Sequence, residues 1–340
     1  MAGRSTAPDL RNDSRETQSM KSIPQSIERR RFLQTGATLA LGATLLPITS
    51  ARAARNTSAA AGGFRFVFMP CIHLREDLRS PEGLAAALKK VAALDAKPQF
   101  ILTGGDVCHN LRDLTVDQAE ARADLLLKVL KEHASFPMRH CLGNHDLAGW
   151  SKPELASDPR YGKKLLQQKL RLEKTYYSFD HGGWHFAVLD YLLEKKPGEF
   201  VPEFGPEQLQ WLKSDLAGAG GKPVVIVSHA PVVSAVELFT DRAKDSEAGR
   251  VVPYGRVVKD TPALFEAVKG ANVRTFISGH LHLLEDLRFN GHRFICSGSV
   301  SGHQWTGPRL QTPEGFGVFD CRPDGSFEYA YESYGWQAKK

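Results

Sequence analysis

The sequence predicts a layered α/β domain, and three observations predict it. Short apolar runs rich in aromatic and β-branched residues recur along the chain, most intervals between them carry helical spacing, and the C-terminal part alternates short strands with Gly and Asp turns. Phe64 to Met69 is the first such run, Glu82 to Ala96 has helical spacing, and Gln99 to Thr103 is apolar again, which makes a β-α-β opening. Thr115 is a suitable N-cap for a helix from Val116 to His133, because its hydroxyl can accept an N–H that the first helical turn leaves unpaired. A strand is expected near Met138 to Leu142. Tyr176 to Asp180 and Trp184 to Leu189 flank His181-Gly182-Gly183 and read as a tight hairpin. Gly205-Pro206 introduces a helix over Glu207 to Ala217, followed by a buried strand at Pro223 to Val227, a helix at Pro262 to Val268 and a strand at Val273 to Ser278. Two loop-rich stretches, Trp150 to Tyr161 and Val232 to Val257, interrupt the pattern and are expected to roof a site at the strand ends.

With 340 residues, 42% hydrophobic and 24% charged, the chain can bury a large core. Its net charge of +6 sits mostly at the front: residues 1–53 hold eight of the 44 Lys/Arg and four of the 38 Asp/Glu, leaving 36 against 34 for the rest. That near-neutral remainder argues against a polyanion-binding groove, so no nucleic-acid partner is expected. Glu28-Arg29-Arg30-Arg31-Phe32-Leu33-Gln34 resembles a twin-arginine export signal. The apolar stretch from Gly36 to Ile48 has 13 residues, short of the roughly 20 needed to span a bilayer, and Ala51-Arg52-Ala53 offers a small-residue cleavage site. The expected organisation is a signal peptide at 1–53, a linker at 54–63 and one domain at 64–340. Export by the twin-arginine machinery would leave the protein periplasmic or extracellular, without a stable membrane anchor once cleaved; an uncleaved anchor is the alternative. Five cysteines with no CxxC pair argue against both a disulfide framework and structural zinc. Cys141, Cys296 and Cys321 read as core residues.

The chemistry lies just beyond the apolar runs. Gly105-Asp106, Gly143-Asn144-His145-Asp146, Ser228-His229 and Gly279-His280-Leu281-His282 place oxygen and nitrogen donors at successive strand ends, the positions where ligands collect in α/β folds. An anionic phosphate ester repels hydroxide, and a pair of cations ~3.5 to 4 Å apart is the usual answer to that problem.

In the order and type of these blocks the sequence resembles the calcineurin-like metallophosphoesterase superfamily, over Phe64 to about Trp336. The resemblance implies a four-layer α-β-β-α sandwich of two mixed sheets flanked by helices, and two divalent or trivalent ions, zinc, iron or manganese. It implies that Asp106 bridges the ions, that Asn144, His229 and His280 complete one site, and that His73 and His282 serve the other. His145 is then not a ligand but faces the substrate, with Asp146 hydrogen-bonded to its far nitrogen to keep it protonated. The catalytic residues implied are His145, Asp146 and Asp106.

Where the superfamily has Asp-x-His, this chain has Cys71-Ile72-His73. A soft thiolate in place of a carboxylate favours zinc over magnesium or manganese. Three outcomes stay open: Cys71 ligates, the first ion binds weakly, or the pocket has lost catalysis. Cys108 lies close enough in sequence to Asp106 to face the same region. His109-Asn110 and the run from Ser299 to Trp305, with His303 in it, could contact substrate or serve as turns. The expected function is exported hydrolysis of phosphate mono- or diesters through a metal-activated water, with a small phosphate ester as the partner. Its rivals are a non-catalytic or single-metal phosphate-binding periplasmic protein and a nucleotide or phospholipid pyrophosphohydrolase.

Overall fold

A computed structural model describes residues 62–236, 244–246, 249–251 and 256–338. The leader at 1–53, most of the 54–63 linker and much of the Val232 to Val257 stretch lie outside the described residues. In chain order the first half comprises β1 (Phe64–Met69), α1 (Ser80–Ala92), β2 (Phe100–Gly104), α2 (Val116–His133), β3 (Met138–Cys141), α3 (Lys164–Lys169), β4 (Tyr177–His181) and β5 (Trp184–Val188). Next come β6 (Leu192–Lys196), β7 (Glu199–Pro202), α4 (Gly205–Gly218), β8 (Val224–Val227), β9 (Lys244–Ser246) and β10 (Gly249–Val251). The last part holds α5 (Thr261–Ala267), β11 (Val273–Ser278), β12 (Glu285–Phe289), β13 (His292–Cys296), β14 (Gly315–Cys321) and β15 (Phe327–Ser333).

Two mixed sheets result. The first has the order β15-β14-β1-β2-β3, with β1, β2 and β3 parallel and β14 antiparallel to β1. The second has the order β12-β13-β11-β8-β5-β4, with parallel strands β13, β11, β8 and β5 between antiparallel edges. Strand alternation explains how they stack. Phe64, Phe66 and Phe68 of β1 enter the core between the sheets, where they meet Phe186, Val225, Ile277 and Phe319, while Val67 and Met69 face the helices. Phe66 lies parallel to Phe100 and Phe319, at ring-centre distances of 5.2 and 4.7 Å, and edge-on to Phe186 at 5.3 Å, so one side chain ties both sheets together.

Leu84, Leu88 and Val91 of α1 and Ala119, Ala123 and Leu126 of α2 cover the outer face of the first sheet. Leu209, Leu212 and Leu216 of α4 and Leu264 of α5 cover that of the second. The four layers are those expected. Thr115 caps α2 as its chemistry predicts: its hydroxyl accepts the Gln118 N–H at 3.3 Å, and the Gln118 side chain accepts the Thr115 N–H at 3.0 Å.

Three elements had no counterpart among the expectations. The β9–β10 hairpin falls in the stretch expected to be loop. The β6–β7 hairpin turns at Pro197-Gly198 on an exposed, charge-rich run without alternation, and α3 is too short to display a helical period. Only the ends of the 150–161 stretch are buried, Trp150 stacked on Tyr161 at 5.4 Å in the core beneath the second sheet, while the residues between them are exposed or half-buried. Among the described residues no helix is long and apolar enough to cross a membrane.

Candidate metal centre

Five strand ends converge. Cys71 and His73 follow β1, Asp106 follows β2, Asn144 and His145 follow β3, His229 follows β8, and His280 and His282 follow β11. Asp106 Oδ2 lies 3.1 Å from His229 Nε2 and 3.5 Å from His73 Nε2. His73 Nε2 is 3.1 Å from His282 Nε2, and His229 Nε2 is 3.1 Å from His280 Nδ1. The cluster therefore has two halves with one carboxylate oxygen between them. Asn144 belongs beside His229 and His280: its Oδ1 accepts a 2.9 Å hydrogen bond from Tyr191, whose ring centre lies 5.7 and 6.1 Å from those two imidazoles. Cys71 offers its sulfur within 4.8 Å of ligand atoms in both halves, those of His73 and His282 and those of Asp106 and His229.

The hydrogen bonds around the rings test whether a cation suits this centre. His229 Nδ1 meets the Gly104 carbonyl at 2.7 Å and His282 Nδ1 meets the Gly302 carbonyl at 2.5 Å. A carbonyl only accepts, so each Nδ1 carries hydrogen, and each ring, once neutral, presents the lone pair of Nε2 to the cluster. Backbone carbonyls fix metal-binding imidazoles in the same way. Two lone pairs, or a lone pair and a carboxylate, repel at 3.1 Å unless a proton or cation lies between them. Two nitrogens on one tetrahedral zinc would sit about 3.3 Å apart. The donor set fits.

The backbone is bent to make this possible. Cys71, His73, Asp106, His280 and His282 all have positive φ, between 48° and 65°. Each costs ~1–3 kcal/mol for a residue with a Cβ, strain that collects where function demands a particular direction. Because the chain reverses at both His280 and His282, the i, i+2 pair sends one ring to each half instead of to opposite faces of a strand. Close approach matters at two glycines: a Cβ on Gly143 would lie 2.3 Å from Asp106 Oδ1, and one on Gly279 would lie 2.5 Å from Pro70 Cβ.

The profile of the calcineurin-like phosphoesterases matches residues 64–284. The chain belongs to that family. It is 23% identical over 208 residues to a probable cyclic nucleotide phosphodiesterase from Rhodococcus erythropolis, a match that covers 61% of this chain and 59% of that protein. Its fold is similar to that of a dimetal phosphatase from Danio rerio, with a TM-score of 0.53 at 18% identity over 75% of this chain and 92% of that one. Members of the calcineurin-like family are metal-dependent phosphoesterases that typically bind a dimetal centre.

Within this calcineurin-like centre, burial decides most charge states. It holds His73 and His280 well below the ordinary imidazole value and His282 at about 3, so these rings are neutral donors of lone pairs. Burial acts the same way on His229, but the Asp106 carboxylate overcomes it and leaves this pKa raised. Burial would also lift Asp106; His229, His145 and His73 around it hold it well below the usual carboxylate range instead. The Cys71 thiol is pushed well up, by burial first and Asp106 second, and its sulfur accepts the His280 N–H at 3.0 Å.

Two expectations need correction, and the placing of Cys108 is decided. Asp146 does not bond to His145: its carboxylate accepts the backbone N–H groups of Gly143 at 2.9 Å, Cys108 at 3.0 Å and Val107 at 3.3 Å. It splices the Asp106 loop to the Asn144 loop, and burial, helped by Asp106, raises its pKa to about 7. His145, accordingly, is not kept protonated; burial lowers its pKa, and its Nδ1 is buried without a partner among the described residues. Cys108 turns away from the cluster into the core under α1 and α2.

The Ser299 to Trp305 run works from behind. Ser299 and Ser301 hydroxyls both donate to the Cys71 carbonyl at 2.9 Å, and the Trp305 indole donates to the His73 carbonyl at 2.9 Å. His303 in the same run is exposed. Tyr191 went unnoticed in the sequence. The available signal was its position, three residues beyond the end of β5, at another strand terminus.

Proposed function

We propose that this chain is an exported metal-dependent phosphoesterase that hydrolyses phosphate mono- or diesters at a two-ion centre. The observation that supports it is the single oxygen of Asp106 placed between the two imidazole groups, with the backbone-fixed rings of His229 and His282 presenting lone pairs. In this reading Asp106, Asn144, His229 and His280 hold one ion, and Asp106, His73, His282 and Cys71 the other. When bound, two such ions polarise the ester and supply a water acidic enough to attack at neutral pH.

The chain's own groups do the rest. Asp106 Oδ1 is fixed by the His145 N–H at 2.8 Å, which leaves Oδ2 to be shared. Tyr191 orients the Asn144 amide oxygen. His145, neutral in its buried setting, offers an N–H to the leaving oxygen. Cys71 as a thiolate favours zinc, with iron or manganese the rival metals. The leader is proposed to route the folded protein through twin-arginine export, with cleavage after Ala53 and a periplasmic or extracellular destination.

The experiment is to purify the chain from residue 54 onward, count metals per chain, and assay chromogenic phosphate mono- and diesters with zinc, manganese or iron. The name of the Rhodococcus relative places 3′,5′-cyclic nucleotides in the diester set, and pyrophosphate bonds form a separate arm. Two ions with hydrolysis abolished in Asp106→Ala support the reading; one ion or none, with phosphate bound but no ester cleaved under any metal, would replace it with a phosphate-binding protein. Twin-lysine substitution of Arg29 and Arg30 tests the route: an exported, processed product from that variant sinks it.

A further inference from the structure

His109 belongs to no half of the centre, yet it stands at its edge. Its ring stacks beside His145, with centres 5.8 Å apart and planes 21° from parallel, and lies edge-on to His73 at 5.6 Å. His73, His109 and His145 each offer a ligand atom within 4.8 Å of one another. All three also have a buried Nδ1 with no hydrogen-bond partner among the described residues.

Two contacts fix what His109 can do. The Arg75 guanidinium, itself gripped by both oxygens of Asp77, places Nη1 3.2 Å from His109 Nε2. Guanidinium only donates, so Nε2 is the acceptor, and the hydrogen of the neutral ring sits on Nδ1. That nitrogen is a buried N–H donor with nothing to donate to among the described residues, an arrangement that costs ~1–3 kcal/mol and calls for an acceptor from outside. The main chain beneath the ring is fixed as well. Its backbone N–H bonds to the Leu74 carbonyl at 2.8 Å, and its carbonyl accepts from Arg122, which is anchored on Glu76.

We infer that His109 donates its Nδ1–H to a phosphoryl oxygen of the substrate, side by side with His145, and that Arg75 acts as a positioning residue by fixing the ring's tautomer. The inference rests on the phosphoesterase reading and adds to it a substrate-binding group beside His73 and His145. A donor already protonated and held in place suits an anionic oxygen and disfavours a third cation, which would need the lone pair of that same nitrogen.

The test is inorganic phosphate titrated calorimetrically into the holoprotein, with metals counted in every variant. The Asn amide nitrogen reaches roughly where Nδ1 lies, and the Gln amide reaches where Nε2 lies, so the two isosteres separate the roles. His109→Ala and His109→Gln are expected to weaken phosphate binding on the order of 10- to 100-fold with two ions retained, whereas His109→Asn stays within about threefold of wild type. Loss of an ion from His109→Ala would show a metal ligand instead, and full affinity in His109→Gln with loss in His109→Asn would show that the ring only braces Arg75; either overturns the inference. If wild-type holoprotein binds phosphate and cleaves esters while His109→Ala is unchanged, this inference alone falls. If wild type does neither, the phosphoesterase reading falls with it.

Discussion

The two halves of the centre are built from the same strand ends but not from the same chemistry. Around His229 and His280 the donors are imidazoles and an amide, with Tyr191 fixing that amide from the side. Around His73 and His282 the place of a hard oxygen is taken by Cys71, whose thiol is pushed up by burial and by Asp106. The difference teaches that affinity in the two halves answers to different protons. One half has to shed the proton that Asp106 favours on His229. The other, for Cys71 to ligate, would have to strip the proton from sulfur.

The comparison breaks most completely at the oxygen both halves share. Asp106→Asn should empty both and slow ester hydrolysis at least about 10³-fold, since several kcal/mol of charge stabilisation depend on it; retention of two ions by elemental analysis would count against the shared role. Cys71→Asp sharpens the contrast. The His73–His282 half should then prefer manganese or magnesium over zinc, and binding should release fewer protons per ion, read by calorimetry in buffers of different ionisation enthalpy. An unchanged metal preference would remove the sulfur from the coordination sphere.

Acid should act on the halves in a defined direction. His229 has a raised pKa in the metal-free fold, so protons compete with the ion there as pH falls through that raised value, whereas His282, at about 3, stays available through mild acid. In the Cys71→Asp variant the His229–His280 half should therefore empty first on acidification, followed by metal release at stepped pH. Stability runs the opposite way: in the metal-free protein the His229 contribution is complete below the ordinary imidazole pKa and is lost as pH rises through the elevated one. Smallest of all, Tyr191→Phe should cost the His229–His280 half roughly 10-fold in metal affinity, as loss of a group that orients a ligand does, and leave the His73–His282 half untouched.

How much of this could be read beforehand depended on how local each cause is. The helix from Val116 to His133 was legible because Thr115 and Gln118 close its first turn within four residues. Strand β8 was legible as an unbroken apolar run, Val224 to Val227, and the clustered Asp, Asn and His residues were legible because they come shortly after such strand ends. Asp146 was misread for the converse reason. Its neighbour in sequence is His145, but the turn sends its carboxylate to N–H groups on a different loop, 38 and 39 residues away for Cys108 and Val107. The bond from Trp305 to the His73 carbonyl spans 232 residues, and that between His109 and Arg75 spans 34; no spacing rule announces either. The charged β6–β7 hairpin carries no period to read.

One feature of the sandwich limits how the protein can be cut. The family match ends at residue 284, but β14 lies along β1 in the middle of the first sheet, and β13 along β11 in the second. Gly302, which orients His282, and Trp305, which holds the backbone of His73, also come from beyond that boundary. A fragment stopped at 284 would expose the flank of β1 as an unpaired edge and leave two imidazoles without their anchors. The residues beyond 284 are thus the keystone of the centre although none of the clustered donors described above comes from them.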